Sequence, residues 1–215
     1  MSVASQHIRS SDSHSHSELN IDSTLACLEC ELATACKPVA STKFSPDSAV
    51  FLHMLTSVLP DIPVIWVDTG YNTRDTLEFA AYLRSALDLN LMTYRPENSH
   101  PMPPPELDTP EHDSFTLAMK LAPFQRAIEE LKPDIWLSSI RRFQSIHRST
   151  LTAREVVKPG LVKSYPMLEW SADDVEHYRH KHALPLGPEV YDPTKGLPLR
   201  ECGLHTKRWC SVESS

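Results

Sequence analysis

The feature that most constrains the fold is an alternation of short apolar runs with amphipathic helices. Residues 62–67 (IPVIWV), 89–94 and 134–140 are largely apolar runs of strand length, and patterns typical of helices cover 74–89 and 123–131. Strands that alternate with helices form a parallel sheet with helices on both faces. We therefore predict an α/β fold with a doubly wound, mostly parallel sheet, and we expect ligands at the carboxyl ends of its strands.

The segments around this pattern predict further elements. Residues 23–37 carry leucines at helical spacing, 161–170 resemble an edge strand, and 171–182 begin with acidic side chains suited to the start of a helix. The Ser-Pro pair at 45–46 predicts the start of another helix, because the hydroxyl can cap it and proline is accepted in its first turn. Segment 95–113 contains six prolines and no periodicity, so we predict a long loop there.

The chain divides into three parts. At 215 residues it can bury one good core, and we assign residues 21–200 to a single α/β domain. Residues 1–20 are rich in Ser and His and are predicted to be disordered. Their His-Ser run could bind a metal, but a solvated tail is the simpler interpretation. Residues 201–215 form a short C-terminal tail.

The composition argues against several classes of protein. A net charge of −7 disfavours a nucleic-acid-binding protein, which neutralises phosphates with Lys and Arg. No apolar stretch approaches the about 20 residues of a membrane helix, and no secretory signal begins the sequence. Five cysteines, an odd number, fit a reducing compartment better than a disulfide framework. We therefore expect a cytoplasmic protein with no nucleic-acid or membrane partner.

A hydroxyl-rich loop comes directly before the helix predicted at 45–46. With five glycines the chain has neither GxGxxG nor GxxxxGK[ST], so any phosphate site must use hydroxyls, helix N-termini, Arg or Lys. Simple helix capping is the alternative interpretation, but it explains only one of these hydroxyls. The candidate anion-binding residues of the loop are Ser41, Thr42, Lys43, Ser45 and Ser48.

Polar residues also follow two predicted strands where each strand ends. Asp68, Thr69 and Gly70 follow the first strand, and 141–148 follows the run that ends at 140. Arginine presents a rigid fork that matches the oxygens of phosphate or sulfate. A solvated basic loop is the alternative, although it would not predict placement at the binding end of a sheet. The candidates in the second segment are Arg141, Arg142, Gln144, Ser145 and Arg148.

The C-terminal tail contains a cysteine, Cys202, beside a glycine. Lys207 and Arg208 lie close in sequence, and cationic neighbours favour the nucleophilic thiolate. An incidental thiol is the alternative interpretation of such a residue. The CxxC formed by Cys27 and Cys30 has no second pair at zinc-finger spacing, so we favour apolar packing on a helix over metal binding there.

Four segments together resemble a known family. In chain order they read DTGY at 68–71, RRxQSxxR at 141–148, KxxPxxxW at 163–170 and ECGLH at 201–205. They resemble motifs of the phosphoadenylyl-sulfate (PAPS) reductases, also called sulfonucleotide reductases, and the likeness covers roughly residues 40–205. Two departures stand out: residues 42–45 read TKFS where the family reads close to SSFG, and loop 183–200 is shorter than in the family.

The resemblance implies a fold and a reaction. The fold would be of the adenine-nucleotide alpha-hydrolase (ATP-pyrophosphatase-like) type, with a mobile catalytic tail. Cys202 would attack the sulfur of PAPS, and thioredoxin or glutaredoxin would release sulfite from the resulting S-sulfonate. His205 would orient the tail or contact the sulfate, and Lys163 would join the arginines around the anionic groups. A homo-oligomer would be compatible with the family.

No tightly bound cofactor is implied. The adenylyl-sulfate (APS) branch of the family holds a [4Fe–4S] cluster with cysteine pairs, and this chain has no cysteine between residues 37 and 201. The missing cluster and the charge of Lys43 favour PAPS over APS.

Three alternatives stay open: cluster-free reduction of APS, a non-catalytic nucleotide-binding paralogue, and an adenylating ATP-pyrophosphatase, whose SGGxDS loop residues 45–48 partly match. Cys210 is either a spare thiol or a resolving thiol.

Overall fold

The centre of the protein is a six-stranded mixed sheet. The computed structural model describes residues 4–97 and 103–195, with side chains from Ser17 onward. The strands are β1 (Pro38–Thr42), β2 (Val64–Val67), β3 (Leu91–Tyr94), β4 (Ile135–Ser138), β5 (Arg154–Lys158) and β6 (Leu161–Ser164). Their order is β3-β2-β1-β4-β6-β5, and every pair is parallel except β5 with β6. The predicted fold class is confirmed.

Helices cover both faces of this sheet. They are α1 (Ala4–Thr34), α2 (Ser48–Val58), α3 (Arg74–Ala86), α4 (Pro110–Thr116), α5 (Ala122–Leu131), α6 (Ile146–Ser149) and α7 (Ala172–Lys181). One buried cluster joins α1, α2, α3 and α7 to one face, and a second cluster joins α5 to the other. Successive residues of a strand point to opposite faces, so Val39 of β1 lies in the second cluster and Ala40 in the first.

The strand order places a ligand crevice at a defined point. β1 pairs with β2 on one side and with β4 on the other, so the chain reverses its direction of travel across the sheet at β1. Loops that leave neighbouring strands toward opposite faces open a crevice at the carboxyl ends of those strands. This crevice lies after Thr42 and Ser138.

A π-helical turn, Leu117–Leu121, joins α4 to α5. The N–H of Ala122 donates to the carbonyl oxygen of Leu117, five residues earlier, so the turn holds one more residue than an α-turn. The extra residue keeps buried faces on both sides of the turn, with Phe115 before it and Phe124 after it. Helix α4 begins at Pro110, so the predicted loop at 95–113 is wrong at its C-terminal end.

The prediction of disorder for residues 1–20 is wrong from Ala4 onward, because α1 begins there. The helix is held by its later turns, where Ile21 and Leu28 are 2% and 1% exposed. The Asn20 side-chain amide also donates to the Asp174 carboxylate of α7 at 3.0 Å. The polar residues that suggest disorder in the sequence therefore belong to a helix whose later turns are anchored by apolar packing and by a hydrogen bond to α7.

The cysteines of α1 do not pack into the core. Cys27 and Cys30 are exposed, as is Cys36 after the helix. Leu28 and Leu32 occupy the buried side instead. The helix itself was predicted correctly, but the apolar role assigned to its CxxC pair is wrong, since that pair lies on the outer side of the helix.

Three further sequence predictions need correction. Segment 161–170 is not an edge strand, because β6 pairs on both sides and β5 forms the edge. Strand β1 was not predicted at all. Helix α2 begins at Ser48, and its N-cap is Asp47, without a side-chain capping bond, so Ser45 is not the N-cap.

Candidate active site

A cavity of about 270 Å³ lies at the predicted crevice. Its wall comes from the ends of β1, β2 and β4, from the turn between α4 and α5, and from the loop after α7. Of the residues predicted from sequence, the cavity is lined by Ser41, Thr42, Lys43, Ser45, Thr69, Gln144 and Arg148. The structure thus brings together side chains that are up to 107 positions apart, from 41 to 148.

The loop after β1 is held together by its own hydroxyls. Thr42 Oγ1 donates to Ser48 Oγ at 3.3 Å and accepts the Phe44 N–H at 3.2 Å. The Ser45 and Ser48 hydroxyls are also 3.3 Å apart. Ser48 is buried at the first position of α2 and does not line the cavity, so its role is to hold the loop. The positive end of the α2 dipole therefore faces a hydroxyl-lined cavity.

The backbone of this loop accepts serine at position 45. The left-handed residue is Phe44, with φ of 55°, and Ser45 is absent from the described residues with positive φ. The Phe44 ring is fully buried and stands edge-on to the Trp66 ring, with centroids 5.0 Å apart. The departure from the family's glycine at position 45 thus costs no left-handed strain, because the strained position is one residue earlier.

Ser41 is oriented by an indole. Trp136 Nε1 donates to Ser41 Oγ at 2.8 Å, across the β1–β4 pair. Lys163 lies behind this contact rather than in the cavity: it is 3% exposed, and its Nζ sits 4.1 Å from the Trp136 ring centroid. A cation over an indole face is an attractive pair. Lys163 therefore supports the residue that orients Ser41, and a direct substrate contact is not supported by its position.

The three predicted residues of the turn after β2, Asp68, Thr69 and Gly70, have different roles. Asp68 accepts from the Asn72 amide at 2.8 Å and from Arg95 Nε at 3.0 Å, which fixes the turn. Gly70 has φ of 80°, which a glycine adopts at no cost. Thr69 alone of the three lines the cavity.

The predicted residues of segment 141–148 also differ in whether they line the cavity. Arg148 and Gln144 line the cavity and hydrogen-bond to each other. Arg141 instead donates to Asp47 at 2.5 Å and so braces the N-cap of α2. Ser145 accepts the Arg148 N–H at 3.2 Å and caps α6.

Arg142 faces away from the cavity. It donates to the Glu169 carboxylate, and its Nη1 donates to the carbonyl oxygens of Ser149 at 2.7 Å and Leu151 at 2.8 Å. The guanidinium of Arg142 lowers the pKa of Glu169 below its ordinary value, against the opposing effect of burial. These partners take four of the five N–H donors of Arg142, and its side chain does not line the cavity, so the structure gives its predicted contact with the substrate no support.

The sequence analysis missed a cation–carboxylate pair on the cavity wall. Lys120, from the π-helical turn, forms an ion pair with Asp192, and their side chains are only 11% and 13% exposed. Burial by itself would raise the pKa of Asp192, but the charge and hydrogen bond of Lys120, the Thr194 hydroxyl and the charge of Lys43 together lower it. Asp192 is therefore ionised. The sequence signal that could have located Lys120 is the helical proline that follows it, Pro123, which favours an irregular turn.

The loop after α7 crosses the cavity rim. Gly187 N–H donates to the Pro46 carbonyl oxygen at 2.9 Å, and a Cβ at Gly187 would lie 2.7 Å from the Ser45 carbonyl oxygen. Further along, His112 Nε2 lies 3.0 Å from the Pro193 carbonyl oxygen. The predicted catalytic residues Cys202 and His205 follow in the sequence and lie outside the described residues.

Two features are absent from the described part of the chain, a metal-ligand cluster and a membrane-spanning helix. Among residues 4–97 and 103–195, no group of three or more His, Cys, Asp or Glu side chains is placed to hold a metal ion. Within the same ranges no helix combines the length and apolar character needed to span a membrane.

Sequence comparison assigns this site to a family. A family profile described as "Phosphoadenosine phosphosulfate reductase domain" matches residues 37–192. A phosphoadenosine 5'-phosphosulfate reductase of Synechococcus sp. is 38% identical over 161 residues, which cover 70% of this chain and 67% of that protein. The enzyme of the same name from Synechocystis sp. is 35% identical over 201 residues, covering 78% and 79%.

Solved structures share the fold at lower identity. The PAPS reductase of Candida auris, in a phosphate complex, superposes with a TM-score of 0.67 at 21% identity, covering 79% of this chain and 87% of that one. FMN adenylyltransferase of Candida glabrata superposes with a TM-score of 0.62 at 12% identity, covering 80% and 58%. With the profile match over the cavity-forming segments and the two sequence relatives, these findings show that the chain belongs to the phosphoadenosine phosphosulfate reductase family, the sulfonucleotide-reducing oxidoreductases of sulfate assimilation.

Proposed function

We propose that the protein reduces 3′-phosphoadenylyl sulfate to sulfite and adenosine 3′,5′-bisphosphate, with a thioredoxin or glutaredoxin dithiol as the reductant. The observation that carries the proposal is the convergence of three cations, Lys43, Lys120 and Arg148, from separate segments on one cavity. Fixed cations and hydroxyls around a crevice suit a ligand with several anionic groups. The phosphate complex of the Candida auris relative supports anion binding at this fold.

The cavity also offers a surface for a purine. Apolar side chains from β2, from α5 and from the end of β4 line it, namely Ile65, Trp66, Val67, Phe124 and Ile140. Pockets of mixed character fix a ligand's orientation with few polar groups and bury its flat, apolar part against such side chains. We place the base against this wall, and the phosphates and sulfate near the β1–α2 loop and Arg148.

The proposed chemistry uses Cys202 as the nucleophile. Its thiolate attacks the sulfur of the sulfuryl group, the bond from that sulfur to the bridging phosphate oxygen breaks, and adenosine 3′,5′-bisphosphate leaves. A thiolate of the redoxin then attacks the Cys202 sulfur and displaces sulfite, forming a mixed disulfide. The second redoxin thiol resolves this disulfide, so the dithiol supplies both electrons and Cys202 is regenerated. His205 is proposed to contact the sulfate or to orient Cys202.

Lys43 supports PAPS as the substrate rather than APS. It is exposed on the cavity rim, in the loop where the family carries a serine, and it adds a charge that a 3′-phosphate can use. A phosphate monoester carries close to two negative charges at neutral pH. One cation beside the 3′-phosphate of PAPS therefore favours PAPS strongly over APS, which has no 3′-phosphate.

Sulfite release with each nucleotide tests the proposal. Purified protein, thioredoxin and thioredoxin reductase are supplied with PAPS or with APS, and sulfite is measured over time. We expect turnover with PAPS at low nucleotide concentration, and none for Cys202→Ser, which should still bind adenosine 3′,5′-bisphosphate. Formation of sulfite from APS but not from PAPS would contradict the substrate assignment. Nucleotide binding without sulfite would instead favour a non-catalytic binding protein.

An adenylating enzyme is the second candidate. Residues 45–48 (SPDS) keep the serine at each end and the aspartate before the last serine of the SGGxDS loop of ATP-pyrophosphatases, and the fold also resembles an FMN adenylyltransferase. Pyrophosphate release from ATP in the absence of any sulfonucleotide would support it, and its absence together with sulfite formation from PAPS would exclude it.

A further inference from the structure

Asp192 is one of two carboxylates on the wall of a cavity that three cations also line; the other, Asp47, is paired with Arg141. Asp192 lines the cavity together with Lys120, and the two side chains form a largely buried ion pair. An anion that enters this cavity would be repelled by Asp192 while attracted by Lys120, so the intact pair presents Lys120 with its charge already neutralised. The Lys120–Asp192 pair is compatible with binding of an anion if the pair exists only in the ligand-free enzyme.

The Asp192 carboxylate is held in place by its own loop. Its Oδ1 accepts from the Thr194 N–H at 3.1 Å and from Thr194 Oγ1 at 2.6 Å, and its Oδ2 accepts from Lys120 Nζ. The next carbonyl oxygen, of Pro193, is fixed by the buried His112. The carboxylate therefore needs no ligand to reach Lys120, because the loop delivers it there.

We infer that Asp192 is a positioning residue that occupies Lys120 in the ligand-free enzyme in place of an anionic group of the substrate, and that the incoming anion displaces it. The anion is the phosphate or sulfate of the sulfonucleotide, so this identification rests on the proposed function. Exchange of one carboxylate for another anion keeps Lys120 paired throughout, which avoids leaving a buried ammonium without a counter-charge. The affinity measured for the ligand then includes the free energy of breaking the Lys120–Asp192 pair.

Asp192→Asn tests this exchange directly. The affinities for adenosine 3′,5′-bisphosphate and for inorganic phosphate are measured by titration calorimetry at fixed ionic strength. With the competing charge removed, we expect binding about tenfold tighter, comparable to one charge-assisted hydrogen bond. Glu189→Gln is the matched control, because it removes the same charge from an exposed position of the same loop and should leave the affinity within about twofold.

A second measurement shows whether Asp192 acts through Lys120. In a Lys120→Met background the Asn substitution should tighten binding by clearly less than in the native background, because the group being competed for is gone and only the direct repulsion between Asp192 and the anion is left to remove. Unchanged or weaker binding by Asp192→Asn in the native background would overturn the inference and assign Asp192 to orienting Lys120 with the ligand bound.

Amide hydrogen exchange of the wild-type protein gives an independent readout that needs no variant. Saturating phosphate should speed exchange of the Thr194 amide, whose acceptor is the displaced carboxylate. Slower or unchanged exchange at that amide would overturn the inference. If the wild type makes no sulfite from PAPS yet Asp192→Asn binds phosphate more tightly, the proposed function fails and the displacement of Asp192 stands. Sulfite formation without tighter binding by Asp192→Asn would support the proposed function and overturn the displacement.

Discussion

The close approach of the Gly187 loop to the β1–α2 loop makes Gly187→Ala a sharp test of the site. An added Cβ would lie 2.5 Å from Phe79 Cε1 and 2.7 Å from the Ser45 carbonyl oxygen. Ordinary contacts between such atoms are about 3.5 to 4 Å, so the neighbours must move by about 1 Å. The Phe79 ring can turn, but the Ser45 carbonyl moves only if one of the two loops moves. Gly187 N–H also donates to Pro46 at 2.9 Å, so a displaced loop loses this bond.

Overpacking of this kind costs about 1–3 kcal/mol, which for a chain of this size lowers Tm by roughly 2–12 °C. The same displacement disturbs Ser45 in the anion loop, so affinity for adenosine 3′,5′-bisphosphate should fall by about tenfold or more. Urea denaturation and titration calorimetry measure the two effects. Gly160→Ala is the matched control: a Cβ there meets nothing within 4 Å, but φ of +81° makes alanine cost about 1–2 kcal/mol. It should lower stability and leave affinity unchanged.

The reasoning is refuted if Gly187→Ala binds the nucleotide as tightly as the wild type, because the loop contact would then not shape the site. A loss of affinity in Gly160→Ala would be equally damaging, since it would show that any loss of stability weakens binding.

Three further predictions follow from single contacts. Arg148→Ala should weaken adenosine 3′,5′-bisphosphate binding by about tenfold or more while Tm changes little, whereas Arg142→Ala should lower Tm with binding retained, as calorimetry of both variants will show. Lys43→Ser should raise the KM for PAPS by about tenfold and leave that for APS unchanged; equal effects on both would remove Lys43 from the 3′-phosphate. Burial lowers the pKa of His53 and, with neighbouring positive charge, that of His182. Below about pH 6.5 the unfolded chain therefore binds more protons, so urea denaturation should show stability constant above that pH and falling as the pH drops through the lowered pKa values.

Much of the sheet was predictable because buried parallel strands are apolar runs. Strands β2 and β4 stand out in the sequence for that reason, with apolar or aromatic residues at nearly every position. Strand β1 does not, since Pro38–Thr42 contains only two buried apolar residues, Val39 and Ala40. Its strand character comes from pairing with neighbours on both sides, which no local pattern records.

The candidate site was predictable in place and less so in detail. The helix start at 45–46 pointed to the hydroxyl-rich loop, the end of a predicted strand pointed to the arginine segment, and residues of both segments line the cavity. These patterns could not separate Arg148, which lines the cavity, from Arg142, whose donors are taken by backbone carbonyls and Glu169. Adjacent residues point in different directions, and tertiary contacts decide which of them faces the ligand. Lys120 and Asp192 were missed because each carries a common surface charge, and only the fold brings them together.

The π-helical turn between α4 and α5 has a consequence for how this chain tolerates insertions and deletions. Such a turn is equivalent to one residue added to a regular helix, and each residue rotates the helix by about 100°. Deleting any one residue of Leu117–Leu121 would therefore restore the regular α-helical hydrogen-bond pattern locally. It would also rotate α4, which precedes the turn, relative to α5. The buried faces around Phe115 and Phe124 could no longer both meet the sheet, and Lys120 would leave the cavity. A one-residue gap in this turn would thus mark a relative in which this wall of the cavity has been rebuilt.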